Sequence, residues 1–200
     1  MNIFVIGAGS WGSSLALVLE ENKHNVCLYM RREEQFEELK KFGTNSKYLK
    51  DVKFPKSINY TTNLKEAVDF GDVIILSVTT QSTRQFLQNI KSYLSNKKIV
   101  VNVSKGIEIK TNLRISQIYD ELIANENFAV LSGPSHAEEV SKKIPTTIVS
   151  SSKNKDIAET IQHIFSNDYF RVYTNSDLIG VELGGALKNI IALGSGVCDA

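Results

Sequence analysis

Three groups of residues in this 200-residue chain are typed and spaced for chemistry: a glycine triplet, a pair of arginines, and two lysines in small-residue surroundings. Gly7-Ala8-Gly9-Ser10-Trp11-Gly12 is a G-x-G-x-x-G turn. The apolar run Ile3, Phe4, Val5, Ile6 precedes it, and Leu15, Ala16, Val18 and Leu19 follow at helical spacing. In such a strand–turn–helix, Gly7 permits the tight turn and Gly9 lets a pyrophosphate approach the backbone. Gly12 lets helix and strand pack closely. The helix N-terminus offers unpaired N–H groups and a positive dipole end to the phosphates. A glycine turn alone is a weak signal. The flanking strand and helix give it meaning, and dinucleotide binding is expected.

The kind of dinucleotide is read at the end of the second strand, where an NAD-selective site carries Asp or Glu for the ribose hydroxyls. Tyr29-Met30-Arg31-Arg32 supplies no acid and two guanidinium groups. An arginine fork matches the oxygens of a 2′-phosphate. The other reading is a solvated pair balanced by Glu33 and Glu34. NADP (NADPH) is therefore expected, with NAD (NADH) also compatible.

Lys105, in Val103-Ser104-Lys105-Gly106, follows a strand, and ligands of open α/β sheets collect beyond the carboxyl ends of strands. Taken alone it could equally be a solvated loop charge. Ser132-Gly133-Pro134-Ser135 holds the equivalent place after a later strand, or is a proline turn before a short helix at 137–141. His136 after it reads as a loop residue or a proton carrier. Lys188 lies in a mostly apolar helix, with small Gly184 and Ala192 four residues away leaving space over its face. A lysine desolvated or set beside another cation loses basicity, which suits proton transfer near neutral pH. The alternative is a lysine snorkelling at a domain edge. His24 and His163 are assigned no role, and no His/Cys/carboxylate spacing suggests a metal.

Strands and helices alternate around these residues, as in an α/β domain with a mainly parallel sheet. Strands are expected at 3–6, 25–30, 72–78, 99–103 and 128–131, with further candidates at 146–150 and 170–173. Helical patterns cover 31–41, 64–70, 111–122, 137–141 and 156–165, and 45–55 reads as loop with Pro55 blocking regular structure. Residues 178–193 are apolar at helical spacing yet carry Gly180, Gly184, Gly185 and Gly194. Each costs a helix about 1 kcal/mol relative to alanine, so these glycines point to close packing or a nearby ligand. The chain stops at Ala200 in mid-element. The expected division is a dinucleotide-binding domain over 1–177 and the first helix of a second, helical domain over 178–200.

The bulk properties are permissive. With 23 basic and 22 acidic residues the net charge is +1, which gives no reason to expect nucleic acid or an anionic membrane surface as partner. No uninterrupted apolar run reaches a bilayer span. The opening apolar run belongs to the glycine turn, so no cleaved leader is expected. Cys27 falls in a strand, where a buried reduced thiol is expected. A soluble, cytoplasmic protein without membrane insertion follows as the expectation.

Taken together, GAGSWG at 7–12, NSKYL at 45–49, VSKGIE at 103–108, SGPSHAEEV at 132–140 and GVELGGALKNIIALGSG at 180–196 resemble the bacterial-type NAD(P)-dependent glycerol-3-phosphate dehydrogenases. The resemblance covers essentially the whole chain, and the last two motifs are its most specific. It implies a doubly wound, Rossmann-like domain followed by the start of an α-helical substrate domain. The implied reaction is reversible reduction of dihydroxyacetone phosphate to sn-glycerol 3-phosphate with NAD(P)H, feeding glycerophospholipid synthesis. It further implies Lys188 as proton donor and acceptor. Cofactor contacts are implied at Ser10, Trp11, Arg31, Arg32, Lys105 and Ala137, with Tyr48 near the adenosine end. Substrate contacts are implied at Lys105, Gly133, Ser135 and Lys188. In this reading Lys105 polarises the carbonyl and depresses the basicity of Lys188. A homodimer is compatible with the resemblance.

Two departures stand out. The family often has Val-Pro-Ser or Val-Pro-Ala after the third main strand, where this chain has Val78-Thr79-Thr80. Members also continue into a helical domain that supplies a substrate phosphate site, so the isolated chain is expected to bind cofactor without turnover. The rival readings are an NADPH-binding module that turns nothing over, and a related 3-hydroxyacid dehydrogenase or reductase.

Overall fold

A computed structural model describes residues 1–199. The chain alternates as β1 (Asn2–Ile6), α1 (Ser10–Glu21), β2 (Asn25–Tyr29), α2 (Glu33–Phe42), β3 (Asn59–Thr61), α3 (Leu64–Phe70), β4 (Val73–Leu76) and α4 (Thr80–Ile90). It continues through β5 (Ile99–Asn102), α5 (Ile115–Leu122), β6 (Phe128–Ser132), α6 (Ala137–Ser141), β7 (Thr146–Ser151), α7 (Lys155–Phe165), β8 (Phe170–Asn175) and α8 (Leu178–Cys198). One sheet holds all eight strands in the order β3-β2-β1-β4-β5-β6-β7-β8, and every pairing but β6 with β7 is parallel. The alternating pattern's mainly parallel α/β sheet is present, in the doubly wound, Rossmann-like arrangement that the resemblance implies.

Side chains alternate across the sheet with the strand period of two. Ile3 and Val5 pack with Leu15, Leu19, Ile161 and Phe165 on the face covered by α1 and α7. Phe4 and Ile6 pack with Val68, Leu87 and Ile118 on the face covered by α3, α4 and α5. Both faces are covered, so the strands read as continuous apolar runs. The strand order reverses between β1 and β4, and the crevice opens at their carboxyl ends, as in other open α/β sheets. Gly7 and Ser77 stand at its floor, where Ser77 N–H donates to the Ile6 carbonyl at 2.9 Å.

The sequence reading omits two elements and misplaces one boundary. β3 has only three residues, and its Asn59 and Thr61 carry no apolar signal. In α4 the inward positions are Thr80, Thr83, Phe86, Leu87 and Ile90, so hydroxyl residues occupy two of the five buried positions. The helix expected from Thr111 begins instead at Ile115. Asn112 has φ 57°, and the Thr111 hydroxyl donates to the Glu108 carboxylate at 2.5 Å, so this stretch is a turn. Cys27 is buried in β2 as expected, and burial pushes its thiol up to about 11.

The helix expected over 178–193 extends to Cys198. By length and composition α8 could cross a membrane, although no uninterrupted apolar run in the sequence is long enough. Its only buried residues are Leu178 and Glu182, and Glu182 ties it to this domain.

Candidate active site

The glycine turn divides its labour as the spacing suggests. Gly7 has φ 109°, and a Cβ there would sit 2.2 Å from the Ser77 carbonyl oxygen. A Cβ on Gly12 would sit 2.0 Å from the Gly7 carbonyl oxygen, which fixes the helix-to-strand approach. A Cβ on Gly9 would meet nothing within 4 Å. The protein's own packing makes no demand for glycine at that position, and the space beside it is open. Gly9 also caps α1, whose first turn contains no acidic side chain to oppose an anion.

Two hollows meet at this turn. One, of about 230 Å³, is lined by Gly7, Gly9, Arg31, Arg32 and Tyr48. Arg32 donates to the Tyr48 hydroxyl, and its guanidinium lies 5.5 Å from the Tyr48 ring centroid. Ser10 Oγ donates to the Tyr48 carbonyl at 2.6 Å, which links the loop carrying Tyr48 to the start of α1. Arg31 and Arg32 are exposed and stand where a 2′-phosphate-rejecting acid would be. The other hollow, of about 570 Å³, is lined by Ser10, Trp11, Thr79, Lys105, Ser135 and Ala137. Gly9, Ser77, Val78 and Thr79 border both, so one elongated ligand could span them. The residues present thus fit a dinucleotide.

At the far end the two lysines converge on the loop after β6. Lys105 Nζ donates to the Gly133 carbonyl at 2.9 Å and to Ser135 Oγ at 3.1 Å. Lys188 Nζ reaches the Ser135 carbonyl at 3.4 Å. Lys105 also lies 5.7 Å from the Trp11 ring centroid. Burial, and then the charge of Lys188, lower Lys105 to about 8. The repulsion between the two lysines thus contributes, after burial, to the lowering of Lys105. Gly133 is packed so closely that a Cβ would lie 3.1 Å from Ile148 Cα. Gly184 faces open space on the lysine side of α8, whereas a Cβ on Gly185 would lie 2.5 Å from Ser132 Oγ. His136 is exposed at the start of α6. His24 bonds the Ile164 carbonyl at 3.2 Å, remote in sequence and structure from these loops.

Residues to which the sequence reading gave no individual role hold this constellation. Asn45 is buried and donates to the Ala8 carbonyl at 3.0 Å and to Ser13 Oγ at 2.9 Å, while Gln35 donates to the same carbonyl at 2.6 Å. Their side chains brace the glycine turn from outside. The face of α4 does the same for Lys105. Thr80 donates to the Lys105 carbonyl at 3.2 Å, Gln81 to the Ile107 carbonyl at 2.9 Å, and Arg84 to both Glu108 carboxylate oxygens. Arg84 and Thr111 hold the Glu108 carboxyl below the usual carboxylate range. Thr79 stands where the resembling family often has proline. It has φ −65°, the value proline would fix, and its hydroxyl bonds Ser82 Oγ at 2.8 Å. The loop thus keeps a proline-compatible shape without proline.

Sequence comparison agrees with this geometry. The family model described as NAD-dependent glycerol-3-phosphate dehydrogenase N-terminus matches residues 2–158, and the corresponding C-terminus model matches 177–200. The chain belongs to the NAD-dependent glycerol-3-phosphate dehydrogenase family. It is 46% identical over 202 residues to a glycerol-3-phosphate dehydrogenase [NAD(P)+] of Macrococcus caseolyticus, covering 100% of this chain and 61% of the relative. It is 47% identical over 200 residues to that of Bacillus subtilis, covering 98% of this chain and 58% of the relative. The crystal structure of glycerol-3-phosphate dehydrogenase from Coxiella burnetii superposes with a TM-score of 0.91 at 31% identity, over 98% of this chain and 60% of that one. The chain thus spans about 60% of the length of these dehydrogenases. Within the dehydrogenase family, the segment that both models leave unmatched, 159–176, comprises most of α7 and all of β8.

Proposed function

We propose that this chain forms the cofactor-binding part and the lysine pair of an enzyme that reversibly reduces dihydroxyacetone phosphate to sn-glycerol 3-phosphate. The observation that carries this reading is the convergence of Lys105 and Lys188 on Ser135 at the end of a cleft that begins at the glycine turn. NADPH or NADH, when bound, supplies the hydride for the carbonyl carbon.

In this reading the backbone N–H groups at the start of α1 and the open face of Gly9 take the pyrophosphate. Arg31 and Arg32 take the 2′-phosphate of NADPH, with Tyr48 steadying Arg32, and Ser10, Trp11 and Ala137 line the path toward the lysines. Lys105 already donates twice to protein groups, so its role is to hold charge beside the substrate and polarise the carbonyl. Lys188 makes a single long contact, leaving its other N–H groups for the substrate oxygen. It delivers the proton as negative charge develops there, and takes it back in the reverse direction. Gly133 and Ser135 present backbone and hydroxyl groups to the same substrate. The domain division falls before α8: residues 1–177 hold the cofactor and 178–200 begin the helical substrate domain. The product's role in glycerophospholipid synthesis, a cytoplasmic location and a homodimer belong to the same proposal.

One observation favours a second assignment. Lys105, lowered to about 8, is itself suited to carry a proton near neutral pH. Separate Lys105→Met and Lys188→Met variants decide between them. If Lys188 is the acid, its loss abolishes turnover while substrate binding persists. If Lys105 is, the pattern is exchanged.

A further inference from the structure

Glu182 is the buried charged residue of α8, a helix that otherwise rests on the domain through buried Leu178, half-buried Val181 and the close approach of Gly185 to Ser132. Of the 21 residues of α8, only Leu178 and Glu182 are buried. The Glu182 carboxylate accepts three hydrogen bonds from the start of α5: Ser116 N–H at 2.8 Å, Ser116 Oγ at 2.6 Å and Arg114 Nη1 at 2.5 Å. Arg114 also donates to Ser116 Oγ at 2.7 Å, so the three residues form a closed set. A carboxylate at a helix N-terminus beside a guanidinium is favourably placed on both counts. Asp177 caps the start of α8 by accepting from Gly180 N–H at 2.8 Å, but it is solvent-facing.

Lys188 lies six residues further along α8, roughly 9 Å at 1.5 Å per residue. Its one hydrogen bond among the described residues, to the Ser135 carbonyl, is long at 3.4 Å and cannot by itself hold the helix in place. Arg114 closes the loop that begins after β5 and carries Lys105. That loop is itself held to α4 by the Arg84–Glu108 pair. One continuous segment, 104–116, therefore touches both lysine-bearing elements: it bears Lys105 at one end and grips the Lys188 helix at the other.

We propose that Glu182, through Arg114 and Ser116, is a positioning residue that sets the tilt of α8 and hence the placement of Lys188 against Lys105. Glu182 takes no part in proton transfer. A tilt of about 10° about this anchor would move Lys188 by about 1.5 Å over that lever. Misplacement by 1 Å in an active site can cost on the order of 10²-fold in rate. The consequence for turnover rests on the proposed reaction; the anchoring itself does not.

Two measurements test it, with Glu182→Gln and Arg114→Met as variants. Ser116→Ala, which leaves the ion pair intact, serves as a milder third. In the 200-residue chain, nitroxides are placed on the native exposed Cys198, at the far end of α8, and on Lys142→Cys. Pulsed electron resonance then gives the width of the distance distribution. Cys198 is about 24 Å along the axis from Glu182, so loss of the anchor should be amplified there. Widths at least doubled in Glu182→Gln and Arg114→Met, with an unaltered unfolding midpoint for the sheet domain, are expected. The double variant should be no wider than either single one, because one linkage is broken in all three. An unchanged distribution would overturn the proposal.

In the complete gene product, Glu182→Gln should lower kcat with dihydroxyacetone phosphate by about 10- to 10²-fold. KM and the NADPH dissociation constant should stay within about twofold, since the cofactor is held at the other end of the cleft. An unchanged kcat beside a widened distribution would also count against positioning. If the parent shows no turnover of dihydroxyacetone phosphate, the proposed reaction fails, and the label widths alone decide whether Glu182 sets the helix.

Discussion

Lys105 and Lys188 address one residue from two elements: Lys105 donates to the Ser135 hydroxyl at 3.1 Å, and Lys188 reaches the Ser135 carbonyl at 3.4 Å. Two cations are thus held at one loop with no carboxylate among their hydrogen-bond partners in the described residues. An anionic substrate would relieve that repulsion, so the arrangement favours a phosphorylated ligand over a neutral one.

Lys105 gives the pH dependence its sign. Burial and then Lys188 depress it to about 8, so between that value and the ordinary lysine range the unfolded chain binds the extra proton. Stability from this group should rise with pH across that window, and the penalty should be complete below about 8. Lys188→Met removes the repelling charge, and the titration midpoint of Lys105 should then move upward. Nuclear magnetic resonance of ¹³C-methylated lysines follows it directly. A midpoint that stays put would mean that the two lysines do not feel each other.

In the proposed function, Arg31 and Arg32 after β2 set cofactor choice. Replacing Arg31 and Arg32 together with Ala should weaken NADPH by about 1.5–3 kcal/mol, the usual range for hydrogen bonds to charged groups. NADH affinity should hardly change. Calorimetric titration of both cofactors checks this, and an equal loss for both would show that the arginines do not read the 2′-phosphate.

Much of this site was legible in the chain because its chemistry depends on residue type at fixed spacing. The glycine turn, the absent acid after β2 and the lysine in a small-residue helix are all local signals. What was not legible is support that acts across long sequence separation. Asn45 bracing Ala8, Arg84 gripping Glu108 and Arg114 holding Glu182 are polar pairs whose partners lie tens of residues apart. Nothing in the composition of 45–55 distinguishes a buried asparagine from a solvated one. α4 was missed for a related reason: Thr80 and Thr83 fill buried positions that a periodicity argument reserves for apolar side chains. The lowering of Lys105 also needed burial, which spacing does not report.

Gly9 and Gly12 should separate binding from folding. A Cβ on Gly12 would collide with the Gly7 carbonyl at 2.0 Å, whereas one on Gly9 meets no protein atom within 4 Å. Gly12→Ala should lower Tm by several degrees, as expected for about 1–3 kcal/mol in a chain of this size. Gly9→Ala should leave Tm nearly unchanged while weakening NADPH by about tenfold or more, through steric conflict with the pyrophosphate. Thermal melts beside cofactor titrations would show the contrast, and a comparable loss of stability in both would contradict it.

Glu108 ties the Lys105 loop to α4. Its carboxyl is held low by Arg84 and then Thr111, so its contribution is present above the unfolded carboxylate range and is lost as pH falls through its folded value. Glu108→Gln should therefore cost about 1–3 kcal/mol near neutral pH. The difference from the parent should shrink progressively below about pH 4.5. Urea melts of both chains at neutral and acid pH measure it, and a cost independent of pH would argue against the ion pair as its source.

The account stands most directly on Lys188. Steady-state turnover of dihydroxyacetone phosphate with NADPH should be compared between the complete gene product and its Lys188→Met variant. A positioned general acid contributes about 10²–10⁴-fold, so turnover should fall by at least the lower figure while NADPH affinity barely moves. Turnover within a few fold of the parent, with the cofactor still bound, would contradict the assignment of Lys188 as the group that delivers the proton.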